Sequence, residues 1–119
     1  MESNMEHKYG SFTPSQMANY KQDLHRKVHW MLIYKDSKCN QDYLSVDVNQ
    51  YIISVLIQLN GLNSILNYPS SFITLMSLIE GARLELFKEK FDYKLYRKIL
   101  LQVHALIDKL PESDGDVFE

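Results

Sequence analysis

The sequence predicts an all-α fold, an antiparallel bundle of four main helices plus a short helical connection. Three observations predict it. Apolar residues recur at helical spacing in four separated segments, capping residues stand ahead of several of them, and prolines or glycines close them. At 119 residues there is room for one domain. A chain of this size buries roughly two-thirds of its unfolded surface, so it can carry its own core. Hydrophobic residues make up 45% and charged residues 24%, which excludes collagen-like, low-complexity and wholly disordered chains. The expected organisation is a flexible leader over 1–12, a helical domain over 13–110 and an acidic, disordered tail over 111–119.

The first helix is expected from Pro14 to about Lys35. Thr13 can cap it, Pro14 suits its first position and Gln16 can complete a capping box. Met17, Tyr20, Leu24, Val28 and Met31 form its stripe. Its second half, Val28–Tyr34, is apolar almost all round, so it is either buried from several sides or partly an interface. That run is short and rich in β-formers, and a strand competes there. A polar loop follows from Asp36 to Leu44. Ser45 or Asp47 can cap a second helix with the stripe Val48, Tyr51, Ile52, Val55, Leu56 and Leu59, ended by Asn60-Gly61. Tyr51–Leu59 is the second place where a strand competes. Leu62–Tyr68 is expected to be a short helical turn or ordered connection.

Pro69 suits the start of a third helix running to about Phe87. Its inward set is Phe72, Ile73, Leu75, Met76, Ile79, Ala82 and Leu86. Gly81 inside it costs ~1 kcal/mol relative to alanine, and a close helix crossing would explain it. Asp92 caps a fourth helix, the clearest of all, with Tyr96, Ile99, Leu100, Val103, Leu106, Ile107 and Leu110 inward. Pro111 stops it.

Charge and cysteine content narrow the function. The net charge is −2, but the acids cluster in the tail at Glu112, Asp114, Asp116 and Glu119. The expected domain body holds 12 basic against 9 acidic residues, less basic than dedicated DNA-binding domains. Cys39 is the one cysteine, which precludes an internal disulfide and any Cys-Cys metal motif. A reducing, cytoplasmic setting fits that count. Met1–Thr13 has no apolar core of a signal peptide. The longest apolar stretches fall far short of the ~20 residues that span a bilayer. The glycines, Gly10, Gly61, Gly81 and Gly115, are isolated, so no phosphate loop is present. Asp42 and Asp47 belong to no calcium-loop pattern. No cofactor is expected.

Four groups of residues can carry function. His25 and His29 stand four apart on one helix face, where two imidazoles can share a metal. Arg26 occupies the position where a zincin has its glutamate, so that chemistry is excluded. Arg97 and His104 lie seven apart, about two helical turns, and share a stripe beside the inward face. An arginine, six residues and a histidine resemble the Arg–His motif of the HEPN helical-bundle ribonucleases. In that family the two residues meet their counterparts across a dimer cleft and cleave RNA using the 2′-hydroxyl. The polar residue that commonly follows the arginine there is Lys98 here. Lys21, Arg26, Lys27, Lys94 and Lys98 are the candidate nucleic-acid contacts. Trp30, Ile33 and Tyr34 form the candidate partner surface, since exposed aromatics are typical of protein contacts.

The sequence favours a non-enzymatic interaction protein, of accessory, regulatory or immunity and antitoxin type. Its partner would be another protein or its own copy in a homodimer. Size and helicity suit a small bacterial protein of this kind, an analogy of fold rather than a motif. An RNA-binding or RNA-cleaving domain using Arg97 and His104 is the alternative, and a small transcription regulator the third reading.

Overall fold

A computed structural model describes residues 5–7, 10–12, 14–66 and 69–110. Two short strands, β1 (Met5–His7) and β2 (Gly10–Phe12), precede four helices: α1 (Pro14–Lys35), α2 (Val48–Leu66), α3 (Pro69–Glu85) and α4 (Tyr93–Asp108). The helices form an antiparallel bundle in which each packs on the next and α1 closes the ring against α4. The strands pair antiparallel, with Met5 opposite Phe12 and His7 opposite Gly10, and β1 lies alongside α2. The expected leader therefore contains a hairpin. The capping role of Thr13 and the acidic tail lie outside the described residues.

Both strand-like runs are helical. Val28–Tyr34 belongs to α1 and Tyr51–Leu59 to α2. Length explains this: both runs sit inside helices of 22 and 19 residues whose apolar stripes continue on either side. Asp47 caps α2, its carboxylate accepting from the Gln50 backbone N–H at 3.1 Å. Asn60-Gly61 does not end α2, which continues to Leu66 through the segment expected as a connection. Leu62 is 8% exposed, and its burial keeps the stripe going past the glycine. Gly81 has no neighbour within 4 Å of where a Cβ would stand, so no close crossing accounts for it.

The core is the sum of the four stripes. Met17, Leu24, Val28 and Met31 of α1 meet Ile52, Val55 and Leu59 of α2, Phe72, Leu75, Ile79 and Ala82 of α3, and Tyr96, Leu100, Val103 and Ile107 of α4, all buried. Ile73 was expected among them but is 54% exposed. It lies roughly 140° round the helix from the centre of the buried α3 stripe, so it faces outward. Asp92 caps α4 from extended backbone, accepting from the Lys94 and Leu95 N–H groups.

The largest fully buried side chain is Tyr96. Its hydroxyl donates to the Met31 carbonyl at 2.9 Å, joining α4 to α1 inside the core. Tyr93, one turn earlier, donates to the Leu32 carbonyl at 3.4 Å. At the other end of the same pair of helices, buried Lys21 donates to the Asp108 carbonyl at 3.4 Å. A cation there suits the negative end of the α4 dipole. Tyr96→Phe is expected to cost about 1 kcal/mol, the net value of one buried hydrogen bond. Tyr96→Ala is expected to cost about 3–5 kcal/mol through the cavity it opens. Urea unfolding of both variants checks the pair, and a Tyr96→Phe variant as stable as wild type would show that the hydroxyl contributes nothing.

Candidate active site between α1 and α4

The α1 stripe that points at α4 is flanked by His25 and His29. The α4 stripe that points back is flanked by Arg97, His104 and Asp108. Because the two helices run antiparallel, these flanks face each other along one edge of the seam. His29, Arg97 and His104 border a cleft of about 380 Å³ on that edge. His29, Leu32 and Ile33 of α1, Asp36 and Cys39 of the following loop, and Tyr93, Arg97, Leu101 and His104 of α4 line it. Arg97 and His104, paired in the sequence only by their spacing, share this cleft.

His25 reaches across to His104. Their Nδ1 atoms are 2.7 Å apart and the rings are nearly parallel, with centroids 5.0 Å apart. The Nε2 of His25 is 2.7 Å from a carboxylate oxygen of Asp108. The hydrogen-bond roles follow from donor chemistry. An ionised carboxylate only accepts, so His25 donates from Nε2. A neutral His25 then accepts at Nδ1, and His104 must donate to it from Nδ1. The Nε2 of a neutral His104 is left with its lone pair, the form that takes a proton. Asp108 is 73% exposed, so its pairing with His25 orients the ring more than it stabilises the fold.

Burial and the neighbouring His25 and His29 hold the His104 imidazole below its usual range, with Asp108 opposing. Burial and Asp36 raise the Tyr93 phenol, so it stays a hydrogen-bond donor, while Arg97 opposes that shift. The Asp36 carboxylate is engaged by the loop itself, accepting from the Lys38 N–H at 2.9 Å and from the Cys39 thiol at 3.8 Å.

The other expected site residues separate by what they touch. Both ring nitrogens of His25 are engaged, one by His104 and one by Asp108, and not by His29. Among the described residues no group of three or more metal-ligating side chains is arranged to hold an ion. Lys21 is 8% exposed at the end of α4, which removes it from any nucleic-acid surface. Lys27 is paired with Asp23 at 2.7 Å and Gln58 at 2.5 Å, tying α1 to α2. Arg26 is exposed beside Asp23. Lys94 and Lys98 are exposed with Arg97 along a groove of about 430 Å³, floored by Leu101 and Ala105, which adjoins the cleft at Arg97 and Leu101.

Trp30 and Tyr34 are half-buried by the chain itself. Trp30 stacks on Tyr34, and Tyr43 of the 3₁₀ turn Asn40–Tyr43 packs edge-on against both. Tyr51 of α2 completes the cluster at 5.3 Å from Tyr34. Much of the apolar surplus read as a partner surface thus docks the chain's own loop, while Ile33 turns into the cleft. Asp108 was missed as a site residue. Its one sequence signal is the four-residue spacing from His104 on the best-defined helix.

No family model, no curated protein and no solved structure matches this chain.

The depressed His104 has a consequence for stability. The unfolded chain holds a histidine at its ordinary pKa of about 6.5, so between the folded value and that one the unfolded state binds more protons. This contribution is complete above pH ~7 and is lost as pH falls through that window. His104→Gln should flatten the decline in Tm between pH 7 and 5.5. An unchanged slope would show that His104 does not carry it.

Proposed function

We propose that the α1–α4 cleft binds single-stranded RNA and cleaves it, with His104 as general base and Arg97 as the cation on the phosphate. The observation that carries this reading is the Asp108–His25–His104 chain of contacts at 2.7 Å each, which ends at His104 in the cleft that Arg97 also lines. A base needs a nucleophile to activate. Cys39 is in the cleft, but its thiol donates to Asp36 and not to an imidazole. A substrate carrying its own nucleophile fits better, and the RNA 2′-hydroxyl is one. The exposed Lys94 and Lys98 beside Arg97 supply charge for adjacent phosphates. The Arg97–His104 spacing, similar to that of HEPN ribonucleases, points the same way.

The sequence alone favours an interaction protein because it assembles no set of three convergent side chains. The seam between α1 and α4 supplies that convergence, and this shifts the balance toward chemistry. No helix among the described residues is long and apolar enough to cross a membrane. The single exposed thiol suits the reducing cytoplasm where RNA is the abundant polymer.

Cleavage of a labelled single-stranded RNA is expected from the wild-type chain without added metal. Arg97→Ala and His104→Ala should each lose about 100-fold or more, the usual range for a general base. DNA of the same sequence should survive intact. Equal cleavage by all three proteins, or none by the wild type, would falsify the reading.

One observation favours a second reading, a helical module that pairs with its own copy. Ile73 and Leu84 are 54% and 53% exposed and lie on one outer face of α3, which a lone bundle leaves wet. Light scattering should then give twice the chain mass for the wild type and one chain mass for Ile73→Glu with Leu84→Glu. A wild-type mass of one chain at ~100 µM rules out a stable dimer, since binding at or above millimolar Kd is worth only ~4 kcal/mol.

A further inference from the structure

We propose that His29 is the general acid of the cleft, protonating the leaving 5′-oxygen while His104 takes the 2′-hydroxyl proton. The assignment rests on the ribonuclease reading above and names the residue that reading lacks. Cutting a phosphodiester by internal attack moves two protons. One leaves the 2′-hydroxyl, and one must reach the 5′-oxygen, which otherwise departs as a poor alkoxide leaving group.

The seam supplies a separate imidazole for each. His104 stands on α4 with its tautomer set by His25 and Asp108. His29 stands on α1, one turn beyond His25, and lines the same cleft from the opposite wall. His25 cannot take the part, because both its nitrogens are engaged within the relay. Tyr93 is on the cleft wall, but its hydroxyl proton is directed at the Leu32 carbonyl. His29 is exposed and is close enough for its charge to act on His104. Imidazole is the side chain suited to give or take a proton near neutral pH.

The Nε2 of His104 accepts the 2′-hydroxyl proton as the 2′-oxygen bonds to phosphorus. The bond from phosphorus to the 5′-oxygen breaks, and that oxygen takes the proton of His29. Arg97, on the α4 wall, faces the charge that grows on the non-bridging oxygens. The products are a 2′,3′-cyclic phosphate and a free 5′-hydroxyl. Exchange with water resets both imidazoles. Asp36 is the one carboxylate among the described residues of the cleft wall, and its bonds to Lys38 and Cys39 hold it in the loop.

A leaving group that needs no proton separates the two imidazoles. The test uses one oligoribonucleotide with an ordinary linkage and one with sulfur bridging at the 5′-position. His29→Ala and His29→Gln should cut the ordinary linkage at least about 100-fold more slowly than wild type. Both should cut the sulfur linkage within a few-fold of wild type. His104→Ala should lose both substrates. Circular dichroism verifies folding, which substitution of an exposed residue should leave intact. Equal slowing of the His29 variants on both linkages, or slowing on neither, overturns the assignment of His29 and leaves the ribonuclease reading standing. Failure of the wild type on both linkages overturns the two together.

Discussion

The hydroxyl of Tyr96, donated to the Met31 carbonyl within the core, is the contact on which the rest of this structure depends. It joins the first helix of the bundle to the last, 65 residues apart, and so closes the ring. Lys21 at the Asp108 carbonyl holds the other end of the same pair. Two polar contacts at opposite ends leave little freedom for one helix to slide on the other. A slip of one turn is about 5.4 Å, enough to part His25 from His104. The apolar stripes between those ends permit such a slip at modest cost, because one aliphatic residue replaces another. The polar ends do not, since each would lose the hydrogen bond it makes to a carbonyl of the facing helix.

The cleft follows from that register. Five titratable side chains, His25 and His29 of α1 and Arg97, His104 and Asp108 of α4, border the seam without belonging to its core. The contacts of His25 with His104 and Asp108 across it convert two unrelated helix edges into one chemical environment. Half-burial disfavours the charged imidazole of His104, and the donor chemistry of Asp108 and His25 decides which nitrogen keeps its lone pair. The basic residues divide along the same line. Those on α1 that face other helices hold the fold together, at the α4 terminus and at Gln58 of α2. Those on the outer edge of α4 stay in solvent, next to the cleft.

The loop between α1 and α2 has a matching logic. An apolar run that exceeds what one helix face can bury needs a cover, and this chain folds its own over the run. Tyr43 packs on Trp30 and Tyr34, and the turn that carries it brings Asp36 and Cys39 to the rim of the cleft. A feature that resembles an intermolecular surface in one dimension is in large part intramolecular here. The outward stripe of α3 is the converse, since Ile73 looks like core by composition and is exposed by angle.

The sequence by itself determined the local structure. Helix positions, the Asp47 and Asp92 caps and nearly every core residue are consequences of spacing within a single turn or two. α4 is the clearest case, because its stripe, cap and proline stop agree. Where neighbouring signals conflict, as at Gly61, burial of the next apolar residue overrode the local preference. The tertiary structure alone decided the site. The partners of His25 lie 79 and 83 residues away, so no periodicity can pair them. Their meeting depends on which helices are neighbours, on their antiparallel direction and on their register, all set by packing and by buried hydrogen bonds made once the chain is folded.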